Sequence, residues 1–177
     1  MVVLVIFVIV IGAVFAVEYA GRSSWKQQEA QLRAQQELRK ALERIVTDLR
    51  QTRSTFLSSL NPAVPPDGAM HAAAAFRVPQ DADNDGDVVD DSGTMEWSNI
   101  ISYSMGGTNN SQLLRRVLDD AGNVLSSEVV ANSITQLGFT RTATAPNNIQ
   151  VSCTFQRQEP GGQAATITST VDVYIRN

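Results

Sequence analysis

Six aspartates fall within one short stretch, DADNDGDVVDD: Asp81, Asp83, Asp85, Asp87, Asp90 and Asp91. Alternating carboxylates followed by a glycine turn can present several oxygens to one hard cation, and calcium takes about six to eight of them. The pattern therefore predicts a calcium loop. Asp81, Asp83 and Asp85 are its first ligands, with the Asp87 backbone carbonyl and Asp90 or Asp91 completing the shell. It departs from the EF-hand, because the twelfth position from Asp81 is Ser92 rather than a bidentate Glu and the preceding RVPQ is no helix. The plainer reading is a solvated acidic loop, whose carboxylates repel one another when no cation lies between them. Both readings stay open at this point.

The rest of the chemistry-bearing inventory is thin. The chain has one cysteine, Cys153, and one histidine, His71. No internal disulfide can form, and neither a His-based triad nor a Cys/His zinc site has enough ligands. Cys153 sits between Val151 and Phe155 and reads as a buried thiol. His71, beside an alanine run, reads as a loop residue, and Trp97 as a core residue. There is no G-x-S-x-G and no phosphate loop. The net charge of −4 is a mild excess that favours neither nucleic acid nor an acidic substrate. No catalytic residue is expected, and no enzyme.

The elements that must position the acidic loop begin with MVVLVIFVIVIGAVFAV, which contains no charge. As a helix these residues rise roughly 25 Å, against a hydrocarbon core of about 30 Å. A cleavable signal would need a basic region in front and a small-x-small site behind, and neither is present. Residues 1–21 therefore read as a membrane-embedded part of a helix. Arg22 and Lys26 follow it, which would hold the next segment in the cytoplasm; basic residues ahead of Met1 would reverse that. Residues 22–60 continue the helix as an amphipathic stretch. Leu38, Leu42, Ile45, Leu49, Phe56 and Leu60 recur at steps of three, four or seven. The expectation is one helix of nearly sixty residues, ended at Asn61-Pro62.

Residues 61–94 read as a loop region holding the acidic segment, with AMHAAAAFRVP either a short helix or a loop. Residues 95–177 alternate like half-buried strands: MEWSNIISYSM, QLLRRVL, VLSSEVV, SITQLGFTR, NIQVSCTFQR and ATITSTVDVYIR. Gly122 in DDAGN supplies a hairpin turn, Gly138 suggests a bulge or kink, and APNN and EPGGQ read as turns. The sum is an α+β domain in which a long N-terminal helix packs on one antiparallel sheet of five or six strands.

These parts, in this order, resemble the type IV pilins and the pseudopilins of type II secretion. MVVLVIFVIVIGAVFA resembles the interior of that family's hydrophobic N-terminal segment. QQELRKALERIVTDLRQT is similar to the helix that follows in minor pilins and in pseudopilin J. Tyr103, Leu113 to Arg116, Ile134, Leu137 and Phe139 match the strand series of the same group. The resemblance implies a pilin-like fold and a structural subunit. Such a subunit is held in the bacterial inner membrane by a single pass and carries a periplasmic or extracellular head. Its implied partners are the membrane, an assembly platform there, and other subunits met through the N-terminal helix. It also implies a basic leader, a Gly and a Phe-Thr-Leu-Ile-Glu-type start, which this sequence lacks; the expectation is that Met1 is internal and that such residues precede it. Gly12 and Gly21 are candidate points of local unwinding in a filament, or simply tolerated small residues. The alternative function is a monomeric, membrane-anchored, calcium-dependent binding domain. An anchored enzyme is the weakest of the three readings.

Overall fold

The computed structural model describes residues 2–81, 84–158 and 164–175 of the 177-residue chain. Helix α1 (Val2–Gln51) is followed by the short α2 (Ser54–Ser59). Among the described residues eight strands follow: β1 (Met70–His71), β2 (Ala73–Phe76), β3 (Ile100–Gly106), β4 (Gln112–Leu118), β5 (Val124–Asn132), β6 (Ile134–Thr142), β7 (Ala145–Gln158) and β8 (Ala164–Tyr174). They form two four-stranded antiparallel sheets, in the orders β1-β6-β7-β8 and β2-β3-β4-β5. The α+β class stands, with the helix packed on antiparallel sheet.

The single sheet of five or six strands is corrected to two sheets. The strands missed are β1 and β2, which lie in the alanine-rich stretch. Ala74, Ala75 and Phe76 are fully buried there, pairing with Tyr103, Ser102 and Ile101. Alanine carries no strand signal in a sequence. The strand packs against α2 and β6, and the Ala75 amide donates to the Pro62 carbonyl in the loop after α2 at 2.9 Å. The acidic segment consequently sits between β2 and β3, inside the second sheet's connections, and not between the helix and the first strand.

The helix is also shorter than expected. It breaks at Thr52–Arg53, and Arg53 is extended, with φ −103° and ψ 147°. Thr52, Ser54 and Thr55 are weak helix formers, because their hydroxyls compete for backbone hydrogen bonds. The break re-aims α2 so that Leu57 is fully buried, while Phe56 meets the Trp97 ring edge-on at 4.7 Å between centroids. Arg53 lies 5.0 Å over the same indole.

The core is where the helical stripe meets both sheets. Ala34, Leu38, Ala41, Leu42, Ile45 and Leu49 are buried with Tyr103, Leu113, Ile134, Phe139, Val151, Cys153 and Phe155. The 3.6-residue period of one surface thus meets the two-residue period of the other. The QLLRRVL–DDAGN–VLSSEVV hairpin forms as its sequence predicts, with Gly122 at φ +85° in the turn. Gly138 is neither bulge nor kink. A Cβ there would come within 2.6 Å of Met70 Sδ and of Ser152 Oγ, so the glycine allows a close approach of β1 and β7 to β6. The APNN segment is not a separate turn, since β7 begins at Ala145. The EPGGQ turn lies outside the described residues.

Candidate functional site

The first candidate is the part of α1 that the head does not use. Among the described side chains, burial of the helix begins at Ala34; before it, Phe7, Val14, Phe15, Val17, Tyr19, Trp25 and Leu32 are all exposed. A soluble surface rarely presents so many large apolar groups along one element. Part of the span expected over 1–21 falls outside what is described: Met1 and the side chains of 2–6, 8–10 and 20. Among the described residues, no helix is long and apolar enough to cross a membrane. A Cβ at Gly12 or Gly21 would meet nothing within 4 Å, so packing within one chain requires neither glycine. Past Val17 the helix surface turns polar and is laced by pairs one turn apart: Glu18 with Arg22, Glu29 with Arg33, Arg39 with Glu43. Exposed pairs of this kind each contribute only a few tenths of a kcal/mol, about 0.3–0.5.

The acidic loop is the second candidate. The Asp81 carboxylate accepts hydrogen bonds from the backbone amides of Asn84, at 2.6 Å, and Gly86, at 3.0 Å. Asn84 and Gly86 both have positive φ, the geometry that folds those amides back. Asp85 accepts the Asp87 amide at 2.9 Å. Asp90 belongs to a separate tight turn closed by the Val89–Met95 bridge. Its Oδ1 accepts from the Ser92 hydroxyl at 2.6 Å and from the Thr94 amide at 2.8 Å. The Ser92 hydroxyl and the Thr94 amide hold its carboxyl below the usual carboxylate range. Asp87 and Asp91 are exposed, and Asp83 lies outside the described residues. Among the described residues, no three His, Cys, Asp or Glu side chains are gathered where they could hold a metal ion.

The remaining sequence candidates fall into structural places. Cys153 is fully buried on β7, and burial pushes its thiol up to about 12. His71, expected in a loop, lies on β1 and meets Asp67 at 3.2 Å. Trp97 is half-buried against Phe56 just ahead of β3.

Two polar clusters escaped the sequence reading. Asp48 Oδ2 accepts from the Tyr103 hydroxyl and from Arg115 Nε, each at 2.8 Å. This ties α1 to β3 and β4. Burial, and then the Asp48 charge, push the Tyr103 hydroxyl far up, so it stays protonated and donates. Burial works to lower Arg115, but the Asp48 hydrogen bond and charge outweigh it and raise its pKa. The signal was present, since Asp48 stands three residues after Ile45 on the apolar stripe. The second cluster is Arg141, a buried cation on β6 that donates to the Val64 carbonyl at 2.7 Å, the Pro146 carbonyl at 3.0 Å and the Ser58 hydroxyl at 3.1 Å. Burial lowers its pKa. It clamps the loop after α2 to the start of β7, and nothing in the local sequence announces it. No protein-family model matches this chain, and no curated protein or solved structure matches it either.

Proposed function

We propose that this protein is a structural subunit, a minor pilin or pseudopilin, of a bacterial type IV pilus-like or type II secretion filament. Before assembly its N-terminal helix anchors it in the inner membrane, with the head in the periplasm or outside the cell. The observation that carries this reading is the division of α1. One unbroken helix of 50 residues gives the stretch from Ala34 on to the head and carries, ahead of a polar stretch, a start without any charged residue up to Val17. At 1.5 Å per residue, the part before Ala34 reaches about 48 Å from the head. Of that length the uncharged run supplies roughly 25 Å, against a bilayer core of about 30 Å, and the rest is a polar stalk. On leaving the membrane the same surface must be covered again. Neighbouring helices can do this, each large apolar side chain contributing about 1.5–3 kcal/mol when buried. The role is architectural rather than catalytic.

The test is expression of the full chain in a bacterium, followed by membrane fractionation and extraction. Wild type is expected in the inner-membrane fraction. Ile11→Lys, which places a charge at a cost of about 2.5–3.5 kcal/mol near the middle of the expected span over 1–21, is expected to shift the chain toward the soluble fraction. Recovery of wild type as a soluble protein would sink the reading.

Calcium is the proposed ligand of the acidic loop, held by Asp81, Asp83 and Asp85 with the Asp87 carbonyl and Asp90 or Asp91. Binding requires the Asp81 and Asp85 carboxylates to turn from their own loop amides toward the ion. A ligand held only by the folded state adds about 2.7 kcal/mol at a hundredfold excess over Kd. Melting should rise by on the order of 5 °C in calcium relative to chelator. Asp83→Ala with Asp85→Ala should remove the difference. Equal melting of wild type in calcium and in chelator leaves a charged surface loop and no site.

A further inference from the structure

β1 is the outer strand of the first sheet and is held by two ladder pairs, Met70 with Thr140 and His71 with Phe139. On the neighbouring strands, Leu137, Phe139, Val151 and Cys153 face the core. Gly138 and Ser152 alternate with them and are directly paired, so both lie on the outer face of the sheet. The Met70 side chain reaches across that face from the edge. Its Sδ settles where Gly138 has no side chain, 2.6 Å from the place a Cβ would occupy. Two donors point at the sulfur, Gln136 Nε2 at 4.0 Å and Ser152 Oγ at 3.9 Å. The Ser152 hydroxyl has a second acceptor in the Gly138 carbonyl, at 3.5 Å. Met70 is nevertheless 55% exposed, whereas Met95 and Met105 are half-buried.

A thioether sulfur is a weak acceptor, so an amide and a hydroxyl are poorly satisfied by it. A sulfoxide oxygen is a much better one. An oxygen one bond out from sulfur, accepting at about 2.8 Å, leaves the sulfur roughly 4 Å from the donor. Gln136 and Ser152 already stand at that distance. Oxidation of a methionine packed in a core is disruptive, because it sets a polar oxygen among apolar groups. On this open face the oxygen would meet two donors instead.

We propose that Met70 is a site of oxidation by hydroperoxides, and that Gln136 and Ser152 hold the sulfoxide formed there. With hydrogen peroxide, the sulfur lone pair attacks one oxygen. The S–O bond forms and the O–O bond breaks. The departing hydroxide takes the proton from the transferred oxygen and leaves as water. Sulfur gives up two electrons, and the peroxide gains them. The sulfur becomes a stereocentre, and an oxygen directed at Gln136 and Ser152 belongs to one epimer only. The same two donors hold a peroxide oxygen on that side of the sulfur, so this epimer forms in excess. Once formed, its hydrogen bonds tie the β1 edge to both β6 and β7. The proposal does not depend on the filament-subunit reading.

The test is limiting hydrogen peroxide on the purified full-length chain, stopped early and followed by mass spectrometry of its peptides. Met70 is expected to oxidise severalfold faster than Met95 and Met105. The two stereospecific methionine sulfoxide reductases, one for each epimer, then tell the products apart. One epimer should exceed the other severalfold at Met70. Gln136→Leu with Ser152→Ala, both at the sheet surface, should bring the epimers to comparable amounts. Urea unfolding supplies a second readout. Oxidised wild type should unfold at the same or a higher urea concentration than the reduced chain, and the oxidised double variant at a lower one than its reduced form. Met70→Leu should remove the effect of peroxide on unfolding. Equal epimers in wild type mean that Met70 is merely an exposed thioether, and overturn the proposal. So would an epimer excess that survives in the double variant, earlier oxidation of Met95 or Met105, or equal destabilisation of wild type and double variant by oxidation.

Discussion

Asp48→Ala is expected to destabilise the folded chain by about 3–5 kcal/mol, the usual cost of removing one partner from a buried charged cluster. Asp48 sits on the helix face that meets the sheets, its side chain only 10% exposed and that of Arg115 17%. In the variant, the Tyr103 hydroxyl and the Arg115 guanidinium keep their burial and lose their acceptor. The loss exceeds that of an ordinary hydrogen bond, about 0.5–1.5 kcal/mol net, because an uncompensated cation stays behind. Asp48→Asn should fall between, since an amide oxygen still accepts from Tyr103 but no longer balances Arg115. The same reasoning gives the opposite result when the whole cluster is made apolar. Asp48→Leu, Tyr103→Phe and Arg115→Met together should come close to wild type, with the new phenyl ring still stacked on Phe76 as Tyr103 is. Urea unfolding followed by near-ultraviolet circular dichroism measures all three variants. An alanine variant within about 1 kcal/mol of wild type would mean that the cluster contributes little to holding the helix on the second sheet.

Ile45→Ala is expected to cost about 2–4 kcal/mol, through lost transfer energy and the cavity left behind. Ile45 is fully buried in the middle of the α1 stripe, between Leu38–Leu42 and Leu49. Alanine is the better helix former, so the loss measures packing and not helicity. Leu32→Ala supplies the contrast on the same helix. Leu32 is 59% exposed, two residues before the buried stripe begins. Its truncation should stay within about 0.5 kcal/mol. If both variants unfold alike, the stripe read from the sequence does not organise the core.

The helical stripe was legible because it depends on one period, and that period is written in consecutive residues. The same holds for the hairpin around Gly122 and for the alternation of Ile149, Val151, Cys153 and Phe155, all buried on β7. β1 and β2 were not legible. Alanine does not announce a strand by itself, and Ala74 and Ala75 are strand residues through their pairing with Tyr103 and Ser102, far along the chain. The helix break was half visible in Thr52, Ser54 and Thr55, but propensity alone does not decide where a helix ends when tertiary packing can extend or cut it. Gly138 is needed only because Met70 arrives from a distant part of the chain. The acidic segment was obvious as composition. Its local fold, with Asp81 and Asp85 turned onto their own loop amides, was not.

The sequence by itself determined the apolar start of the chain, the amphipathic run that follows it and the strand-rich remainder. Each of these is a property of neighbouring residues and the period at which they repeat. Only the tertiary structure decided that the strands divide into two sheets, that α1 borders the terminal strand of each, and that Asp48, Tyr103 and Arg115 share one buried cluster. Those facts depend on residues 55 and 67 positions apart. Hydrophobic patterning says which side of an element must leave water. It says nothing of which distant partner will cover that side, because the choice is made by the summed packing of the whole chain.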